Sequence, residues 1–212
     1  MRAFVKSKYL EFSKYEGSQH IAGEFAILKI VELVRIFKST SILEIGLGIG
    51  TLPSTILNYF DRDINYLGTE ANEFCLKRLS KNLAPEIYSS IQIYSTVSNI
   101  KKTPSPLDLV IVDGGFDSFD TLTQMLGKNA IIAIEGDRKD QEKVIRGLFP
   151  SSISVHIVSL EKNDPEGIFT SSDWQGGIKV FFVHPSLKQY VYWFRQKLKS
   201  KIVYSKRRKY NR

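Results

Sequence analysis

The stretch ILEIGLGIGTL, Ile42 to Leu52, sets glycine at positions 46, 48 and 50 between a strand-like apolar run and the start of a helix. A strand that empties into alternate glycines can turn with positive φ and let another group approach main chain without meeting a Cβ. Such turns serve phosphates, dinucleotides and nucleosides alike, so the flanking residues must separate them. A dinucleotide fingerprint beginning at Gly46 would need glycine or alanine at position 51, where this chain has Thr51. Glu44 stands two residues before the first glycine.

Outside the turn, strand and helix patterns alternate. Ile21 to Phe37 is apolar around most of a helical surface and is broken by Lys38, Ser39 and Thr40; Ser41 to Ile45 then reads as a short buried strand. Pro53 suits a first helical turn, with Thr51 available as its cap. Strands follow at Asn65 to Thr69, Ile91 to Tyr94, Leu107 to Val112 and Ala130 to Ile134. Helices are expected at Asn72 to Leu83, ending before Pro85, at Phe116 to Leu126 and at Asp140 to Phe149. Strands alternating with helices make a parallel sheet covered on both faces. SISVHIVSL and GIKVFFVH near the end lack a helical pattern between them and read as an antiparallel pair at the sheet edge. The expected fold is α/β: a doubly wound, mostly parallel seven-stranded sheet with an antiparallel C-terminal hairpin. One domain is expected over 1–212, with an N-terminal arm and helix at 1–38 and a basic C-terminal tail at 186–212.

The single cysteine, Cys75, excludes a disulfide framework within one chain and reads as a small core residue. No apolar leader or membrane-spanning run is visible, which points to a soluble, cytoplasmic protein. The net charge of +8 is unevenly placed. Ten Lys and Arg and no acid lie between Lys188 and Arg212, leaving 20 basic against 22 acidic residues in the body, a net −2. The tail is therefore the basic object, with its own anionic partner.

Glu44 ahead of alternate glycines, within βα units closed by an antiparallel hairpin, resembles the first motif and architecture of class I S-adenosylmethionine (SAM)-dependent methyltransferases. The resemblance spans roughly Gly23 to His184 and is closest to the small-molecule O-methyltransferases, where a glycine-containing helix also packs ahead of the first motif. It implies SAM as cofactor, with Glu44, Gly46, Leu47, Gly48, Gly50 and Thr51 in the first motif. Glu70, followed by Ala71, ends the second strand, where a carboxylate can accept from two ribose hydroxyls; the same acid would serve NAD. After the third strand the family often has an acid near the adenine, but this chain has Ser95 and Thr96, and Thr96 is assigned to the cofactor in its place.

Asp113 ends the apolar fourth strand before two glycines and is placed near methyl donor and acceptor. Asp113 and Glu135 are the candidate proton acceptors for a hydroxyl, and His20, just before the first helix, is a candidate lid residue. The same acids, with Asp137, could hold Mg²⁺ with waters completing its octahedron; Gly136 stands where the metal-dependent branch has an amide, and a divalent metal is not favoured. His156 and His184 are expected to be structural. The loop Glu161 to Gly177 would border an acceptor pocket, Trp174 stacking on a sugar or aromatic ring.

These readings converge on SAM-dependent O-methylation of a small-molecule or glycan hydroxyl. The alternatives are an RNA methyltransferase using the tail, a non-catalytic nucleoside-binding module and, disfavoured by Thr51, a dehydrogenase. The tail's Tyr190, Tyr192, Trp193 and Phe194 with spaced cations suit an anionic membrane surface, and less well RNA, because the aromatics precede the charge cluster. Nothing in these residues specifies an oligomeric state.

Overall fold

The computed structural model describes residues 1–115, 118–136 and 138–210. Its strands are β1 (Ser41–Ile45), β2 (Asn65–Thr69), β3 (Ile91–Tyr94), β4 (Leu107–Val112), β5 (Leu126–Glu135), β6 (Ile153–Val158) and β7 (Gly177–Phe182). All seven form one sheet in the order β3-β2-β1-β4-β5-β7-β6. β1 to β5 pair in parallel, and β7 lies antiparallel between β5 and β6. The chain direction across the sheet reverses between β1 and β4, opening a crevice at the carboxyl ends of those two strands.

The near-continuous apolar strands explain why both faces are covered. On one face Ile42, Leu109, Ile111 and Phe182 pack with Ile27, Ile30 and Val31 of α2 (Glu24–Phe37) and with Ile56 of α3 (Thr51–Tyr59). On the other, Leu43, Ile45, Val110 and Val112 pack with Leu122 of α6 (Phe119–Met125) and Ile145 of α7 (Lys139–Leu148). α4 (Glu73–Asn82) follows β2 and is capped by the Asn72 side chain, which accepts from the Phe74 amide.

Several expectations are corrected. Residues 2–13 are not an arm but a helix, α1 (Arg2–Ser13), whose Val5, Tyr9 and Phe12 are buried in the core. Their i, i+4, i+7 spacing was a helical signal in plain view. The next helix begins at Glu24 rather than Ile21, because Gly23 is its extended N-cap. Pro85 opens a short helix, α5 (Pro85–Ser90), rather than a loop. β5 begins at Leu126, and a register irregularity against β4 between Leu107 and Leu109 absorbs the longer strand. Of the helix expected from Phe116, residues 116 and 117 lie outside the described residues.

The tail is one helix, α8 (Leu187–Tyr210), laid along β6. The four aromatics clustered near its start do not share a face. Tyr192 is buried against Phe37 and Phe182, and Trp193 Nε1 donates to the Ser154 carbonyl, whereas Tyr190 and Phe194 are exposed. No helix among the described residues is long and apolar enough to cross a membrane.

One polar pair sits inside the apolar core. Glu44 on β1 and Tyr66 on β2 are both buried, and the Tyr66 hydroxyl donates to Glu44 Oε2. Burial pushes the Glu44 carboxyl well above the usual carboxylate range, and the Tyr66 bond offsets part of that rise. The folded chain thus holds a proton there that the unfolded chain releases, so stability falls as pH climbs from the ordinary carboxylate range toward the raised value. Tyr66→Phe should cost about 1–3 kcal/mol by leaving a buried acceptor without its donor. Glu44→Gln should shrink the loss of stability between pH 5 and pH 8, measured by urea unfolding at both, since no charge then has to be buried.

Candidate functional site

The crevice between the β1 and β4 exits opens into a cleft of about 650 Å³ lined by Gly46, Gly48, Glu70, Asp113, Glu135 and Arg138, among others. The glycine turn forms its floor. Gly46 has φ +92°, and a Cβ there would lie 2.9 Å from the backbone of Gly114. Gly48 has φ +52°, and a Cβ would lie 2.1 Å from the carbonyl oxygen of His20. The bare main chain is thus demanded first by other parts of this chain: the β4 exit presses on Gly46 and the Ser18–His20 turn on Gly48.

Four of the turn's five amides, from Gly46 to Gly50, are already committed. Gly46 and Leu47 both donate to the Thr69 carbonyl at 3.0 Å, Gly50 to that of Leu47 at 3.0 Å, and Gly48 to Glu70 Oε2 at 2.8 Å. A pyrophosphate would find these donors taken, unlike at a dinucleotide-binding turn. Glu70, at the end of β2, accepts a second amide, Asn72, on Oε1 at 2.8 Å. Each oxygen keeps acceptor capacity facing the cleft.

Across the turn, Asp113 and Glu135 end the adjacent strands β4 and β5, and their carboxyls hydrogen-bond to one another. Burial first, and then Glu135, push the Asp113 carboxyl well above its usual range, with Arg138 opposing the rise. Arg138 donates to the backbone carbonyls of both Glu135 (3.0 Å) and Asp113, and its Nη2 lies 3.4 Å from Asp113 Oδ1. Glu135 Oε1 also accepts from the Gly23 amide at 3.5 Å, tying the start of α2 to the site. His20 is exposed on the rim, and Phe169 of the long loop lies 3.7 Å from where a Gly23 Cβ would be.

The candidates named from sequence fall into two groups. Gly46, Gly48, Glu70, Ala71, Asp113, Glu135 and His20 line the cleft. Glu44, Leu47, Gly50, Thr51 and Thr96 do not: Glu44 is turned into the core onto Tyr66, and Leu47 packs over Gly68. Gly50 makes room for Leu79 and Leu83. Thr51 is the first helical residue rather than the cap, which is Gly50, and its buried hydroxyl has no hydrogen-bond partner. Ser95 lines the cleft in place of Thr96, whose hydroxyl is held by Asn99 at 2.8 Å. Trp174 does not border the cleft either. It lies between Lys162 and Arg207, and the loop reaches the cleft through Phe169.

Arg138 escaped the sequence reading; a cation three residues after a strand-end acid was its signal. Cys75 sits at the cleft floor, its thiol pushed up to about 11 by burial and then by Glu70, which makes it an inert packing group. His156 hydrogen-bonds Tyr204 at 2.6 Å, away from the cleft. Among the described residues no group of three or more His, Cys, Asp or Glu side chains is gathered around a metal-sized space, and Asp137 lies outside them. Beside Arg138, the acid pair fits a shared proton better than a second cation.

No protein-family model and no curated protein matches the chain. Solved structures do. The O-methyltransferase TomG from Streptomyces achromogenes, in complex with SAM, is similar with a TM-score of 0.59 and 13% identity, over 86% of this chain and 88% of that one. The O-methyltransferase from Bacillus cereus in complex with SAH gives a TM-score of 0.60 at 12% identity, over 85% and 90%. The SAH-bound methyltransferase PaMTH1 from Podospora anserina gives 0.59 at 13%, over 85% and 87%. At such identities the likeness is one of architecture. With its strand order, antiparallel closing hairpin and glycine turn at the point of reversal, the chain has the fold of the class I SAM-dependent methyltransferases.

Proposed function

We propose that the chain is a SAM-dependent methyltransferase that transfers the methyl group to a hydroxyl of a small molecule or glycan. The observation that carries this reading is the half-buried Asp113–Glu135 pair, held at the crevice across the glycine turn from Glu70. Glu70, with acceptor capacity left on both oxygens, suits a ribose diol, and a glycine turn with four of its five amides spent disfavours a dinucleotide. Ala71 and Ser95 would border the nucleoside.

When bound, SAM supplies a methyl group on a sulfonium, and the transfer is an in-line displacement. What remains for the protein is alignment, exclusion of water and removal of the hydroxyl proton. Asp113 retains a proton to higher pH than a lone carboxylate would, and once that proton is lost the carboxylate can accept the proton of the acceptor hydroxyl. Arg138 positions the pair from both backbone carbonyls and offsets its charge. Phe169 and the His20 turn border the open side, where the acceptor would enter.

Titration calorimetry should show the chain binding S-adenosylhomocysteine but not NADH, and Glu70→Gln should weaken it about 10–100-fold, the worth of charge-assisted bonds to a hydroxyl pair. NADH binding in its place would sink the assignment. Gly48→Ala should lose much of that affinity and about 1–3 kcal/mol of stability, because a Cβ at positive φ displaces the His20 carbonyl.

With labelled SAM and a panel of hydroxyl acceptors, Asp113→Asn and Glu135→Gln should each lower kcat by about 10²–10⁴-fold. The pH profile separates a base from a scaffold. Because the pair must give up its retained proton, kcat/KM should rise with pH through the raised Asp113 value, and Arg138→Gln should move that rise to higher pH. A rise left in place or moved to lower pH would refute the role given to Arg138.

A further inference from the structure

The face of α8 turned away from the domain is apolar. Leu187, Tyr190, Val191, Phe194, Leu198 and Ile202 are 81%, 46%, 45%, 56%, 47% and 57% exposed. At about 3.6 residues per turn these positions share a sector about 120° wide. The buried Gln189, Tyr192 and Ser200 lie on the opposite side, where Gln189 Nε2 and Trp193 Nε1 hold the helix to the Asn129 and Ser154 carbonyls. This stripe therefore does not belong to the contact that docks the helix. It is a second, outward face.

Cations flank the stripe along both edges. Lys188, Arg195, Lys199 and Lys206 fall on one side and Lys197 and Arg208 on the other, while Lys201 interrupts the stripe near its second edge, and all are exposed. The helix contains no Asp or Glu. A second copy of this chain brought against the stripe would set one cationic rim against another. On the stripe single-stranded RNA would find Tyr190 and Phe194 to stack on, the rest being aliphatic, while Tyr204 and Tyr210 lie off it against His156 and Trp174. An anionic bilayer satisfies both features at once, taking aliphatic side chains into the acyl boundary while its headgroups meet the lysines.

We infer that α8 is a membrane-docking helix that lies in the plane of an anionic lipid surface, stripe inward, while its other face stays on β6. The helix runs parallel to β6: Trp193 meets Ser154, Tyr204 meets His156, and Arg207 donates to the Ser159 carbonyl. Its most basic end, Lys206 to Lys209, thus lies at the carboxyl end of the sheet, the end that bears the cleft. Docking is independent of which reaction the cleft performs.

The test is co-sedimentation of the full chain with phosphatidylcholine vesicles, with and without phosphatidylglycerol, across a salt series. Binding should require the anionic lipid and weaken with salt. Phe194→Asp with Leu198→Asp should reduce it at least tenfold with the thermal unfolding midpoint unchanged, and Lys199→Gln and Lys201→Gln about fivefold each, matching about 1 kcal/mol per cation. A second readout keeps the inference falsifiable if the double variant misfolds. Ser205 continues the stripe line and is exposed while Cys75 is buried, so a polarity-sensitive dye on Ser205→Cys should shift to the blue with anionic vesicles only. No preference for anionic vesicles, full binding by a folded stripe variant, or an unshifted dye would each overturn the inference. So would tight binding of a single-stranded RNA oligonucleotide, or a dimer lost in the stripe variant, where vesicles are not bound.

Discussion

The site depends on one backbone contact, the meeting of the β1 and β4 exits at Gly46 and Gly114. Those strands are neighbours, and the chain leaves them in opposite directions across the sheet. A side chain on Gly46 would collide with the backbone of Gly114, and one on Gly114 would lie 3.1 Å from the Gly46 Cα. Because neither has one, the Asp113 amide can close onto the Ile45 carbonyl at 2.9 Å, and the carboxyl of Asp113 is set beside the glycine turn rather than lifted away from it. The glycines therefore act mainly through the protein. They bring a strand end, an acid and the His20 turn close enough together to enclose a cleft, and the ligand meets what they have assembled.

That enclosure explains the electrostatics. Asp113 and Glu135 are adjacent strand ends in a parallel pair, so the spacing of a sheet fixes their proximity. Their mutual repulsion and the burial of Asp113 oppose a doubly ionised pair, and Arg138 offsets this only in part. Such an arrangement is poor for stability and useful for proton transfer, the combination expected where a site rather than a core selected the residues. Glu44 is the contrasting case. It is more deeply buried and also raised, but its partner is the Tyr66 hydroxyl, donor and acceptor match, and the pair fills the core away from the cleft. Two buried carboxylates on neighbouring central strands thus serve different ends, decided by which side of the strand they occupy.

That difference marks the limit of what could be read from the chain alone. Strand and helix periodicity located all seven strands, and the glycine turn located the crevice, because apolar runs and punctuation are local signals. Glu70 and Asp113 were legible as strand-end acids for the same reason. Glu44, Leu47, Gly50 and Thr51 were grouped with them by proximity in sequence, yet alternation along β1 and the geometry of the turn send them into packing. Thr96 and Trp174 failed similarly: each has a neighbour, Ser95 and Phe169, that faces the cleft instead. The contact of Arg138 with Asp113 and the burial of α1 join distant segments, which a local pattern can only hint at: for the first the hint was a cation three residues after Glu135, for the second the Val5, Tyr9, Phe12 spacing.

α1, α8 and the loop between β6 and β7 meet at one place. Tyr9 of α1 accepts from the Ile168 amide with its hydroxyl, next to Phe169 at the cleft. Arg207 of α8 donates to the Gln175 and Ser159 carbonyls and lies over Trp174 in the same loop. The loop is therefore held from both chain ends while its middle supplies an aromatic wall to the site. The base of the loop is already zipped by the Lys162–Trp174 bridge and by backbone bonds from Asn163 to Asp173 and from Gln175 to Glu161, which leaves its tip to be fixed from outside. Anchoring the loop at Tyr9 and Arg207 restricts the shapes of that tip and makes the position of Phe169 depend on how α8 sits against β6.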